Sequence, residues 1–328
     1  MKKIICLFFI AAIITLSGCK DKEGKELKYT QFKQLANKIN TDLQKISSDI
    51  KDLTLTFKYK IPFDNSVEWD NKKYTLKNNQ LIYTPDQKQS SAIYFPINRS
   101  LTDSLKNLIV NSEQMDSLFI RFMDNHDFVR QIYFLDPHSF LRIYPYTEFP
   151  GCFSSPKDLT QRFPYQKACH KPFLNEKSYW VCNPYADLLG QGWVISCVEP
   201  LYYHDRFLGI VAVDIPVKNI LQKYFNHPTQ RLILTNKKGE VICTTPNGAK
   251  KLNIPMYREF SYYEPLTQNT LMYHSPSLAN HQNKKIQKAI QNLLDGSLEE
   301  NFFIDGKKHT IYKAEITETN WLLLKIIY

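Results

Sequence analysis

Asp214 is the residue in this chain of 328 whose surroundings least suit ordinary surface chemistry. It lies in the apolar run Ile210-Val211-Ala212-Val213-Asp214-Ile215, where a carboxylate must be paired, sit at a strand end, or face a polar pocket. The cost of burying an unpaired charge favours the pocket. Asp187, directly after Pro184-Tyr185, serves either a turn or a site. Tyr165 and Tyr185 are either core aromatics or site contacts, and Arg162 by its type belongs to the surface. The remaining reactive side chains argue against catalysis. The 8 His are spread singly, and His170 beside Cys169 has no nearby acid and nucleophile with which to form a triad. G-x-S-x-G, H-E-x-x-H and a phosphate-binding Gly loop are absent from the sequence. The chain therefore reads as a non-enzyme that needs no cofactor, and its cysteines lack the repeated C-x-x-C spacing of a zinc site, so no metal is expected.

Cys19 carries a different chemistry. The chain opens Met1-Lys2-Lys3, continues through the apolar stretch from Ile4 to Leu16, and reaches Leu16-Ser17-Gly18-Cys19. A charged start, a short apolar run and small residues before a cut make a signal peptide, and the run is shorter than the roughly 20 residues of a spanning helix. Leu-Ser-Gly-Cys resembles the lipobox cut by lipoprotein signal peptidase. The resemblance implies a leader of residues 1–18, acyl chains on Cys19 and durable membrane anchoring. Residues 19–25 then read as a charged, solvated tether. Lys20, where many inner-membrane lipoproteins carry Asp, points to the outer membrane. Of the 7 cysteines, Cys152, Cys169, Cys182, Cys197 and Cys243 remain for an oxidising compartment. A bridge between Cys169 and Cys182 is one pairing among several that the spacing permits.

The formal charge is +10, and it falls when Lys2 and Lys3 leave with the leader. The lysines are scattered, without a basic block or a nucleic-acid module, so the balance reads as a solvated surface near an anionic membrane and no nucleic-acid partner is expected. No second apolar stretch approaches spanning length. Any signal must therefore pass through a partner.

These residues need elements to position them. From residue 26 to 58, Phe32, Leu35, Ile39, Leu43, Ile46, Ile50 and Leu53 recur at steps of three and four and predict a long amphipathic helix. Asp64-Asn65 and Asp70-Asn71 supply turn chemistry, and a second helix is expected over residues 100–125. Residues 129–135 and 140–144 form two strands around Asp136-Pro137-His138-Ser139. That hairpin has an echo in residues 231–235 and 240–244 around Asn236-Lys237-Lys238-Gly239. Each copy is followed by a variable stretch and a late hairpin: residues 193–201 with 207–215, and residues 301–304 with 309–316 and 321–328. The repetition implies two similar α+β modules, residues 59–225 and 226–328, joined by a short helix over residues 217–225.

With Val129-Arg-Gln-Ile-Tyr-Phe-Leu-Asp136, Asn183-Pro-Tyr-Ala-Asp187 and Phe207-Leu-Gly-Ile-Val-Ala-Val-Asp-Ile215, the chain resembles the double Cache family of extracytoplasmic sensors. The resemblance implies two PAS-like modules behind one long N-terminal helix, each an antiparallel sheet flanked by helices, with a small metabolite bound in the membrane-distal module. It further implies that Tyr185, Asp187 and Asp214 hold the ammonium of an amino acid. Arg162-Phe163-Pro164-Tyr165-Gln166 stands where the amino-acid-binding branch has Arg-Pro-Trp-Tyr. Tyr165 thus replaces Trp, Gln166 replaces Tyr, and Arg162 falls one place early, which leaves the carboxylate half of the site open. An amine, a modified amino acid or another small polar metabolite fits as well as a standard amino acid. The expected function is sensing or capture of such a molecule, relayed to a membrane signalling or transport partner. The competing reading is a structural or partner-docking lipoprotein that uses the fold as a spacer.

Overall fold

Apolar residues alternating at steps of four and three make the first element. The structure, a computed structural model, describes residues 2–60, 68–77, 80–83, 91–96, 100–149, 158–161, 164–165, 178–187, 189, 192–203, 206–225, 227, 229–255 and 275–327, with backbone alone for 2–28, 60, 76–77 and 80–83. Helix α1 spans Lys2–Lys60. Phe32, Ala36, Ile39, Leu43, Ile46, Ile50, Leu53 and Phe57 are buried along it, one stripe with the 3.5-residue repeat of a packing seam. Ala36 takes the central place expected for Leu35, which is half-buried. The helix also runs through residues 19–25, because Lys and Glu are good helix formers and keep the backbone hydrogen-bonded there. Among the described residues no helix is long and apolar enough to cross a membrane.

The chain divides into two compact units, one of residues 43–226 with 257–275, the other of residues 1–42, 227–256 and 276–328. In the first unit, β1 (Tyr74–Lys77) and β2 (Gln80–Tyr83) form a separate hairpin, behind a turn in which the Lys72 amide donates to Asp70 Oδ1 at 2.7 Å. Asp64-Asn65 lies outside the described residues. The main sheet comprises β3 (Ala92–Tyr94), β4 (Gln131–Leu135), β5 (Leu141–Tyr144), β6 (Tyr179–Ala186), β7 (Trp193–Tyr203) and β8 (Arg206–Pro216), in the order β3-β5-β4-β8-β7-β6. The helix expected over residues 100–125 is two helices, α2 (Asp103–Asn111) and α3 (Met115–Asn125), separated by a 3-10 turn at Ser112–Gln114. The break falls where a distant residue intervenes: Ser112 Oγ donates to the Ile109 carbonyl at 2.6 Å and accepts from the buried Arg142 Nε at 2.8 Å. A short helix, α4 (Val217–Tyr224), follows β8.

The second unit repeats the plan. Strands β9 (Leu232–Asn236) and β10 (Val241–Thr244) lead through α5 (Pro246–Lys251) and α6 (Lys284–Leu294) to β11 (Glu299–Ile304), β12 (Lys307–Ile316) and β13 (Trp321–Ile327). Its order is β10-β9-β13-β12-β11, strand for strand the order β5-β4-β8-β7-β6 of the first sheet. The hairpins agree in detail. Asp136 Oδ1 accepts from the His138 and Phe140 amides at 2.8 and 2.7 Å, and Asn236 Oδ1 from the Lys238 and Glu240 amides at 2.9 and 3.0 Å. Ser139 (φ 64°) and Gly239 (φ 76°) hold the same left-handed place in the two turns.

Candidate ligand-binding site

Strand alternation gives the first unit's sheet two unlike faces. One face meets α1: Trp180 Nε1 donates to Ser47 Oγ at 3.0 Å, and the Phe57 and Phe134 rings lie 6.1 Å apart. The opposite face carries Tyr133, Leu135, Ile143, Val198, Ile210 and Ala212 in one buried cluster that also takes in Tyr165, with Tyr179, Tyr185 and Phe207 packed against it. Asp214 lies on this second face, two residues beyond Ala212.

The register brings its neighbours to it. Asp214 on β8 stands opposite Gln131 on β4 and Ser196 on β7, so three polar side chains from three adjacent central strands meet in a row. Asp214 is 3% exposed and Asp187 9%. Gln131 Nε2 donates to Asp214 Oδ2 at 2.7 Å and to Asp187 Oδ1 at 3.3 Å, so one carboxamide bridges the two carboxylates. Ser196 Oγ donates to Asp214 Oδ1, and the Tyr185 hydroxyl reaches the same oxygen at 3.3 Å while pairing with Ser196 Oγ. Tyr185 gets there through an irregularity of β6 between Val181 and Tyr185, where Pro184 sits in the strand. The Asp187 amide donates to the Gly192 carbonyl at 2.9 Å, so Asp187 closes the turn between β6 and β7 as well as facing the site.

The donors to Asp214 are neutral, and burial together with the nearby Asp187 charge pushes its carboxyl up to about 7. Burial and the Asp214 charge raise the Tyr133 and Tyr185 hydroxyls well above their ordinary value. Both phenols therefore stay protonated, and that of Tyr185 donates to Asp214 Oδ1. Tyr165 is buried with its ring 5.9 Å from Phe207, edge on. A buried carboxylate pair walled by aromatic rings is suited to a small cation.

Two sheets that share one five-strand order, the first with a sixth strand, β3, at its edge, and a long helix before them decide the architecture. It is the two-module α+β plan that the resemblance to the double Cache family implies. Of the residues singled out in the sequence, Tyr165, Tyr185, Asp187 and Asp214 lie on this one face, while Arg162, Cys152 and Cys169 fall outside the described residues; Cys197 and Cys243 are buried on strands. Gln131, Ser196 and Tyr133 were not singled out. What marks Gln131 and Ser196 is the cross-strand register that sets them opposite Asp214, which a single sequence does not carry. The sequence matches no known family profile and no curated protein. Solved structures of similar outline include the sensory domain of the Campylobacter jejuni chemoreceptor Tlp3 with isoleucine bound, 11% identical, covering 92% of this chain and 93% of that one, with a TM-score of 0.49. Another is the ligand-binding domain of the Pseudomonas fluorescens chemoreceptor CtaA in complex with L-alanine, 16% identical, covering 67% and 82%, with a TM-score of 0.46.

Proposed function

We propose that this chain is an extracytoplasmic lipoprotein, anchored through Cys19, that senses or captures an amino acid, an amine or a similar small polar metabolite at the Asp187–Asp214 pair. The observation that carries the reading is the bridge from Gln131: two buried carboxylates share the hydrogens of one neutral amide, in the position an ammonium would fill with a full charge. Tyr133, Tyr165 and Tyr185 supply the walls, and Arg162 is assigned to a ligand carboxylate if the ligand has one. On this reading residues 1–18 are removed on export, residues 59–225 form the membrane-distal module that holds the ligand, residues 226–328 form the membrane-proximal one, and occupancy is relayed to a membrane signalling or transport partner. Lys20 assigns the anchor to the outer membrane.

A thermal-shift screen of the purified chain against amino acids, polyamines, simple amines and small carboxylates tests the site. A ligand at 100 times its Kd stabilises the fold by about 2.7 kcal/mol, enough to move the transition by degrees. The expected result is a shift with molecules that carry an ammonium, lost in Asp214→Asn. A silent panel returns the chain to the spacer reading, and a hit that Asp214→Asn leaves intact puts the ligand away from the Asp187–Asp214 pair.

A further inference from the structure

The second unit carries a polarised surface that the ligand site does not use. An open depression of about 550 Å³ is lined by Lys284, Lys285, Phe303, Ile304, Asp305 and Gly306. Phe303 is 49% exposed, a large apolar side chain left in solvent on edge strand β11. Lys307 and Lys308 continue from the same turn, and Lys288 lies one helical turn along α6; all five lysines are exposed. The acids sit at the other ends of these elements. Glu299 and Glu300 open β11, and Asp295 follows α6, so among the described residues Asp305 is the one acid beside the lysines in the depression. The basic ends of both elements and Phe303 thus meet at one end of the unit, around the Asp305–Lys307 turn.

That side can be located along the helix. Within this unit Asn40 Oδ1 accepts from Thr317 Oγ1 at 3.1 Å, and the Tyr29 and Tyr312 rings lie 5.1 Å apart. From Tyr29 to Asn40 the helix rises about 1.5 Å per residue, and from Tyr312 on β12 to Thr317 just past its end the chain rises about 3.3 Å per residue, so the two advance in step over about 17 Å. Continued backwards, the strand residues from Tyr312 to Lys307 match about eleven helical residues before Tyr29. The Asp305–Lys307 turn is therefore level with the helix at about residue 18, beside Cys19.

We infer that the end of this unit formed by Phe303, Lys284, Lys285, Lys307 and Lys308 docks on a bilayer of anionic phospholipid, a second contact beside the acyl chains of Cys19. The inference rests on the lipid-anchor reading for its geometry. The chemistry fits the occupant: lysines suit headgroup phosphates, and an exposed Phe suits the boundary between headgroups and acyl chains. Such a contact fixes the tilt of the unit on the membrane, which the acyl chains alone leave free.

Lysine acetylation followed by mass spectrometry tests this on the whole chain, mixed with vesicles of phosphatidylcholine or of phosphatidylcholine with phosphatidylglycerol. Against the exposed Lys218 as internal reference, Lys284, Lys285, Lys307 and Lys308 should react about fivefold more slowly on the anionic vesicles than on the neutral ones. Phe303→Ser combined with Lys307→Glu and Lys308→Glu should abolish that difference. Equal rates on both vesicles overturn the docking surface. Flotation with neutral vesicles reports the anchor separately: a chain that floats with unprotected lysines keeps the anchor and loses the docking surface. A chain that fails to float yet shows protection on anionic vesicles does the reverse.

Discussion

At the scale of single residues, one buried carboxyl governs how the site responds to pH. With its pKa raised to about 7, Asp214 is protonated in mildly acidic solution, while an unfolded Asp loses its proton near pH 4. The folded state therefore binds more protons than the unfolded state between those values. Its contribution to stability is fully present below about pH 4 and is lost as pH rises through about 7. A cationic ligand has the opposite preference, because it needs the carboxylate. We expect the affinity for an amine to rise by up to about tenfold per pH unit until pH 7 and then level off, read by calorimetric titration from pH 5.5 to 8.5. An affinity flat across that range would remove Asp214 from the cation's contacts. Asp214, Asp187 and Tyr185 were legible in the sequence because a charge in an apolar strand and a Pro-Tyr-x-Asp turn are local signals. Gln131 and Ser196 were not, because cross-strand register is absent from a single sequence. The same holds for Arg142, which is fully buried and donates to Ser112, to Asp116 Oδ1 at 3.3 Å and to the Ile109 carbonyl at 3.2 Å.

At the scale of elements, periodicity located the long helix, the two hairpins and the late strands, and misplaced only their edges. The unbroken helix expected over residues 100–125 failed because the interruption comes from Ser112 engaging Arg142, a residue far along the chain. One element feature explains a motif that the sequence showed without its reason. Gly209, in Phe207-Leu208-Gly209-Ile210, has φ 144°, and a Cβ built there would lie 2.3 Å from the Leu135 carbonyl oxygen on β4. Only glycine lets β8 approach β4 at that point. Gly209→Ala should therefore destabilise the chain by about 2–4 kcal/mol, against the few tenths expected of an exposed surface substitution. Urea unfolding measures it, and a loss below 1 kcal/mol would mean that β8 tolerates a shift away from β4.

At the scale of the whole molecule, the duplicated strand order was legible because the hairpin echo of Asp136 and Asn236 preserves its turn chemistry across two otherwise different stretches. The ligand's identity was not, since half of the expected contact string departs from the amino-acid pattern and Arg162 lies outside the described residues. The Gln131 bridge has a consequence for how such a protein would respond in a cell. A site whose carboxylates are served by an internal amide contains its own competitor, so a ligand must be concentrated enough to displace it. That sets a threshold, and one side chain tunes it. Gln131→Ala should tighten binding of an ammonium ligand by about tenfold while lowering the melting temperature, as expected when a hydrogen bond to buried carboxylates is withdrawn. Weaker binding in this variant would show instead that the ligand uses the amide. A lineage could thus retune the concentration it answers to through residue 131 alone, leaving every ligand contact in place.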